Sequence, residues 1–242
     1  MNSLRPRAGT AIEQFSFVDA LVAGLYDGAF TASSIRDRGT LGVGCGDSLD
    51  GELLLLDGEL FVCRATGVEP VADADLIPFA EVARFEPTFE LALDGVLTEA
   101  AFEALVDGLV PSQNLFYAIR VDGEFESVTV REAVRQQRPF RGLSDAVKNQ
   151  SENTVSNVRG TLLGFKGPDV FQGLSVADYH LHFLSGDRSF GGHSMNFELR
   201  SGTLTMQAFS SFTVHLPEVD SYLAAELDDI DSDAAIRAAE SQ

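Results

Sequence analysis

Tyr179-His180-Leu181-His182-Phe183-Leu184, followed by Gly191-Gly192-His193, is the stretch that decides how the chain reads. The first six residues form a predicted strand, and alternate side chains of a strand share a face. His180 and His182 therefore point the same way. The interval before His193 holds Ser185, Gly186, Asp187, Gly191 and Gly192, residues that can reverse the chain. A returning strand then brings His193 to the same point. Three neutral imidazoles around one point suit Zn²⁺, or another divalent ion such as Mn, Fe, Co or Ni. Three histidines leave a coordination position open, which points to catalysis; closed structural zinc sites usually use cysteines. The competing reading is a cluster of hydrogen-bonded histidines on a polar strand face. His215, beside Leu216-Pro217, has no partner in sequence and reads as structural.

Around this segment the second half is strand-rich. Strands are expected over 158–165, 179–184, 194–199 and 204–214, separated by Gly167-Pro168, Ser185-Gly186-Asp187 and Ser201-Gly202. In the first half, Val18, Leu21, Val22 and Leu25 repeat at helical spacing, with a stop at Asp27-Gly28. Thr31 and Thr98 are expected N-caps; the helix after Thr98 would bury Phe102, Leu105, Val106 and Leu109. Asp57-Gly58 predicts a hairpin between Leu53–Leu56 and Leu60–Cys63, and Asp122-Gly123 predicts a second between 115–121 and 125–130. Gly42-Val43-Gly44-Cys45-Gly46 lacks the spacing of a phosphate loop. Residues 138–156 read as a connection. The expected fold class is α+β, with two β-rich halves of antiparallel or mixed sheets and a few helices. The first half is 1–137 and the second, carrying the histidines and an acidic tail, is 138–242.

The chain has 242 residues, 45% apolar and 22% charged. That is an ordinary globular composition. No run approaches the roughly 20 apolar residues that cross a bilayer. No secretory signal is read at the start, so Cys45 and Cys63 are expected as free thiols in a reducing cytoplasm. Net charge is −20, with lysine only at Lys148 and Lys166. This argues against nucleic acid or an anionic membrane as partner. An anionic substrate would need a local cation, either metal or arginine, to overcome the repelling field.

The histidine segment resembles the metal-binding segment of the alpha-acetolactate decarboxylases, and three further stretches match in order. Leu49-Asp50-Gly51-Glu52 resembles the family's LDGE segment. Asn114-Leu115-Phe116-Tyr117-Ala118-Ile119 resembles its FYA strand, and Val158-Arg159-Gly160-Thr161-Leu162-Leu163-Gly164-Phe165 its GTLxGF strand. The resemblance implies a homodimer of two β-rich halves and a zinc ion on His180, His182 and His193. It implies two glutamates near the metal, Glu52 and Glu240, and an arginine, Arg131. One departure is Cys45, where the family usually has threonine. The implied reaction turns 2-acetolactate into acetoin and CO₂, with Zn²⁺ taking the charge of the enediolate and no organic cofactor. Arg131 would hold the carboxylate or stabilise the charge of the enediolate, and Glu52 or Glu240 would complete the metal shell and manage protons. A zinc-dependent hydrolase using Glu52 as base, or a non-catalytic metal-binding module, are the alternatives.

Overall fold

The computed structural model describes residues 4–227 and Ile236. From the N-terminus come β1 (Ile12–Phe15), α1 (Val18–Val22), β2 (Phe30–Thr31), α2 (Ala32–Arg36), β3 (Leu41–Cys45), β4 (Glu52–Leu56), β5 (Glu59–Arg64), β6 (Gly67–Pro70), β7 (Leu76–Ile77) and β8 (Phe79–Ala83). Then follow β9 (Phe89–Thr98), α3 (Glu99–Leu109), β10 (Phe116–Glu132), α4 (Leu143–Ala146), β11 (Ser151–Gly167), β12 (Asp178–Ser185), β13 (Gly191–Phe209), β14 (Phe212–His215) and α5 (Asp220–Leu223).

The strands build two main layers. The first is a seven-stranded sheet in the order β14-β1-β8-β3-β4-β5-β6, antiparallel except where β1 runs parallel to β14. The second is antiparallel, β10-β11-β12-β13-β9, and a further pairing of β10 with β13 closes β10 to β13 into a small barrel. β9 and β10 come from the first 137 residues and lie in the second layer; β14 comes from the C-terminal part and lies in the first. The fold is β-rich with few helices, in antiparallel and mixed sheets, as the α+β reading expects.

The period of two sorts the side chains into cores. Tyr117, Ile119, Val121, Phe125, Leu181, Phe183 and Phe197 fill the barrel, and α3 packs Phe102 and Val106 onto them. The opposite face of these strands, with Ala118, Leu163, Phe165 and Leu184, packs against Val43, Leu54 and Phe61 of the first sheet. A third cluster, with Val18, Leu21, Cys45, Leu49, Phe79, Leu143 and Val176, continues the space between the layers. The candidate site residues Glu52, Arg131, His180 and His193 lie along this inter-layer space.

Several local expectations hold. Thr31 Oγ1 accepts from Ser34 N and Thr98 Oγ1 from Ala101 N, both as N-caps. Asp57 and Gly58 have φ of 53° and 83°, the paired positive values of a type I′ hairpin turn. Others are corrected. α1 stops at Val22, short of Leu25. The region read as a connection to residue 156 ends at Ser151, where β11 begins. Asp122-Gly123 is no turn: β10 runs straight through it, pairing Asp122 with Thr161 and Gly123 with Gly160. Ser201-Gly202 likewise sits inside the single strand β13. The physical reason is close approach. A Cβ on Gly123 would stand 2.6 Å from Ser201 O, so glycine here admits a neighbouring strand beside a shift in register.

Candidate metal centre

The register of the barrel strands assembles one row of side chains. His182 on β12 pairs with Leu163 on β11 and with His193 on β13, and His193 pairs with Arg131 on β10. His180 precedes His182 by one period on the same face. The turn that returns the chain is held by Ser185 and Asp187: Ser185 Oγ donates to Asp187 Oδ1 at 2.7 Å, and Ser189 N donates to the same atom at 3.1 Å. Across the gap, the first sheet presents a second row, because Glu52 on β4 pairs with Cys45 on β3 and with Cys63 on β5.

The three histidines meet. Their rings lie 5.1 to 5.4 Å apart, and one nitrogen from each falls within 4.8 Å of the others. All three are buried. His182 Nδ1 lies 3.0 Å from the carbonyl oxygen of Leu53 on β4. A carbonyl only accepts, so Nδ1 carries the proton and Nε2 the lone pair. Among the described residues Nε2 has no hydrogen-bond partner, and Glu52 Oε2 stands 3.8 Å from it. Burial, then the neighbouring His180 and Arg131, hold His182 in its neutral form well below the usual imidazole range. Burial and Arg131 do the same for His193. Three imidazoles with one nitrogen each within 4.8 Å of the others, two of them held neutral by burial and one oriented by a backbone carbonyl, are the donor set that a divalent ion requires. The residues present therefore fit a metal ion.

Arg131 is buried, and its Nη1 donates to Gln150 Oε1 at 3.4 Å. Glu52 is also buried. Both line one cavity with His180, His193 and Gln150, and its other walls are mostly apolar, among them Leu49, Phe79, Leu143, Val147 and Val176. Leu49 reaches the cavity from a tight turn in which Ser48 and Leu49 have φ of 58° and 57°. That costly backbone is held by Ser48 N donating to Tyr26 O at 2.8 Å and Gln136 N donating to Ser48 O at 2.8 Å. Cys45 also lines the cavity, its thiol kept protonated by burial and then by Glu52, and it is not one of the clustered donors. His215 stands apart, 2.7 Å from Glu13 Oε2 on the first sheet. Glu240 lies outside the described residues. Sequence reasoning missed Gln150 and the Leu53 carbonyl. Neither carries a motif; the second depends only on which backbone faces His182.

The model of the alpha-acetolactate decarboxylase family matches residues 12–229. The alpha-acetolactate decarboxylase of Methanosarcina mazei is 40% identical over 223 residues, covering 91% of this chain and 77% of that protein. That of Bacillus subtilis strain 168 is 38% identical, covering 91% and 87%. The crystal structure of the B. subtilis strain 168 enzyme superposes with a TM-score of 0.93 at 36% identity, covering 96% of this chain and 100% of that one.

Proposed function

The chain belongs to the alpha-acetolactate decarboxylase family, and from that premise we propose how it works as a carboxy-lyase converting 2-acetolactate to acetoin and CO₂. His180, His182 and His193 would hold a divalent ion, which we take to be Zn²⁺. When bound, the ion supplies a Lewis acid for the charge that develops as CO₂ leaves. Arg131 orients the substrate carboxylate through its planar pair of donors. Glu52 takes the proton of the substrate hydroxyl and returns a proton to carbon as CO₂ leaves, and one further proton from solvent restores the hydroxyl, so that the substrate anion and one proton become neutral acetoin and CO₂. Glu240 would be the second carboxylate at the site. The burial of Ile236 in the same cluster as Cys45, Leu49 and Phe79 supports a tail that reaches back over the cavity. The apolar walls exclude water, which strengthens each charge interaction inside.

The observation that carries this reading is the buried histidine triad, two of whose members, His180 and His193, line one cavity with Glu52 and Arg131. The test is acetoin formation from racemic 2-acetolactate with no organic cofactor added. Activity should vanish on chelation and return with Zn²⁺; activity that survives full metal removal contradicts the proposal. The same reading includes a homodimer in the cytoplasm. Two buried free thiols suit a reducing compartment, and sedimentation at equilibrium checks the dimer, a monomer mass being the contrary result.

A further inference from the structure

Two oxygen atoms packed between the layers lack a donor. Gln14 on β1 and Glu81 on β8 are register partners, so their side chains lie side by side on the face turned toward the barrel. Both are fully enclosed. Gln14 Nε2 donates to Leu174 O at 2.7 Å and to Ser16 O at 2.9 Å. Both amide hydrogens are thereby used, which fixes the amide and leaves Oε1 able only to accept. Glu81 Oε2 accepts from Ser175 Oγ at 3.0 Å. Among the described residues, Gln14 Oε1 and Glu81 Oε1 each have no hydrogen-bond partner. Two buried acceptors without donors on register partners are costly, and a single proton shared between them would satisfy both.

We propose that Glu81 is a carboxylic acid in the working enzyme, that its Oε1 donates to Gln14 Oε1, and that the closed set Gln14–Glu81–Ser175 positions the strand bearing the metal site. The segment it grips is 174–175. Val176 follows immediately and lines the cavity, and β12 with His180 and His182 begins at Asp178. α1 grips the same segment, with Val18 N donating to Leu174 O at 3.2 Å and Asp19 N to Gly173 O at 2.9 Å. The grip belongs to the first sheet, whereas the strand that follows belongs to the barrel. The set therefore fixes how β12 stands against β4, where Leu53 O meets His182.

The groups around Glu81 are mostly apolar. β1 offers Gln14 and Ile12, β3 offers Val43 with the Cys45 thiol one period further, and β8 itself offers Phe79 and Ala83. The 174–175 segment offers Ser175, and Asp19 on α1 lies beside Gly173. Burial raises the Glu81 acid to about 8, with the Ser175 hydroxyl opposing. The unfolded carboxyl ionises near 4.5. The protonated set therefore contributes fully below that value, and its contribution is lost as pH rises to about 8.

Difference infrared spectra of wild type against Glu81→Gln test the proton directly. At neutral pH the difference should contain the C=O stretch of one protonated carboxyl group, and the band should disappear as pH rises through about 8. In wild type kcat/KM should fall over the same interval. Glu81→Gln offers the same donor and acceptor without ionising, so it should rescue function and lose that alkaline fall. Glu81→Leu should lower kcat/KM at neutral pH by on the order of tenfold. Absence of the carboxyl band shows an ionised Glu81 and overturns the proposal. So does a Glu81→Gln protein that fails to fold or keeps the alkaline fall. The kinetic arm rests on the decarboxylase reading and the infrared arm does not: a wild type without decarboxylase activity would sink that reading alone, leaving the band to decide Glu81.

Discussion

β12 has two faces, and they do opposite work. Leu181 and Phe183 point into the barrel, where Phe183 meets Phe125 edge to face at 5.1 Å. His180 and His182 point at the first sheet. Phe183 and His182 are equally enclosed, but burial has opposite signs for them. Burying a phenylalanine stabilises by about 1.5–3 kcal/mol. Burying an imidazole costs free energy unless its nitrogens are satisfied; here Leu53 O satisfies one, and the proposed ion would satisfy the other. The apolar face thus supplies the stability with which the chain tolerates a polar row between its layers. Adjacent residues on one strand can therefore separate folding from chemistry.

His182→Ala should have the largest effect: decarboxylation should drop by more than about 10³-fold, the scale of losing a main electrostatic stabiliser, while circular dichroism stays native. Phe183→Ala should do the reverse. It should cost about 3–5 kcal/mol in denaturant unfolding and leave the metal content of the remaining folded protein unchanged. Loss of metal in Phe183→Ala at full stability would break the division. Arg131→Lys keeps the charge but not the paired donors, so kcat/KM should fall by about 10²-fold with stability preserved. An unchanged kcat/KM would place Arg131 away from the substrate. The smallest effect belongs to neither face. Val170 is 80% exposed, and Val170→Ser should shift stability by less than about 0.5 kcal/mol, as thermal melts would show.

The sequence is most legible where chemistry and spacing are local. His180, His182 and His193 read as one cluster because a strand period and a short return suffice to bring them together. Asp57-Gly58 reads as a hairpin because the strands on either side of it pair directly across the turn, Leu56 with Glu59 and Leu55 with Leu60. Asp122-Gly123 is the same dipeptide with the opposite outcome. Its fate depends on β11 and β13 arriving on either side from about 40 and 80 residues away in sequence, and local propensity yields to such pairing. The layers were hidden for a similar reason. Nothing local shows that β10 leaves its neighbours to join the barrel, or that β14 returns to the first sheet beside β1. The buried Glu81 was equally silent, since its partners Gln14 and Ser175 are 67 and 94 residues distant. The grouping of Glu52 and Arg131 near the histidines was legible only through the family resemblance, because either alone resembles a surface charge.

X-ray absorption on the purified protein, combined with metal analysis, tests most directly whether the polar face of β12 is a metal centre. The expected result is about one zinc ion per chain, with three imidazole nitrogens at about 2.0–2.1 Å that are lost in His182→Ala. An ion without imidazole scattering, or full metal content in His182→Ala, would contradict it.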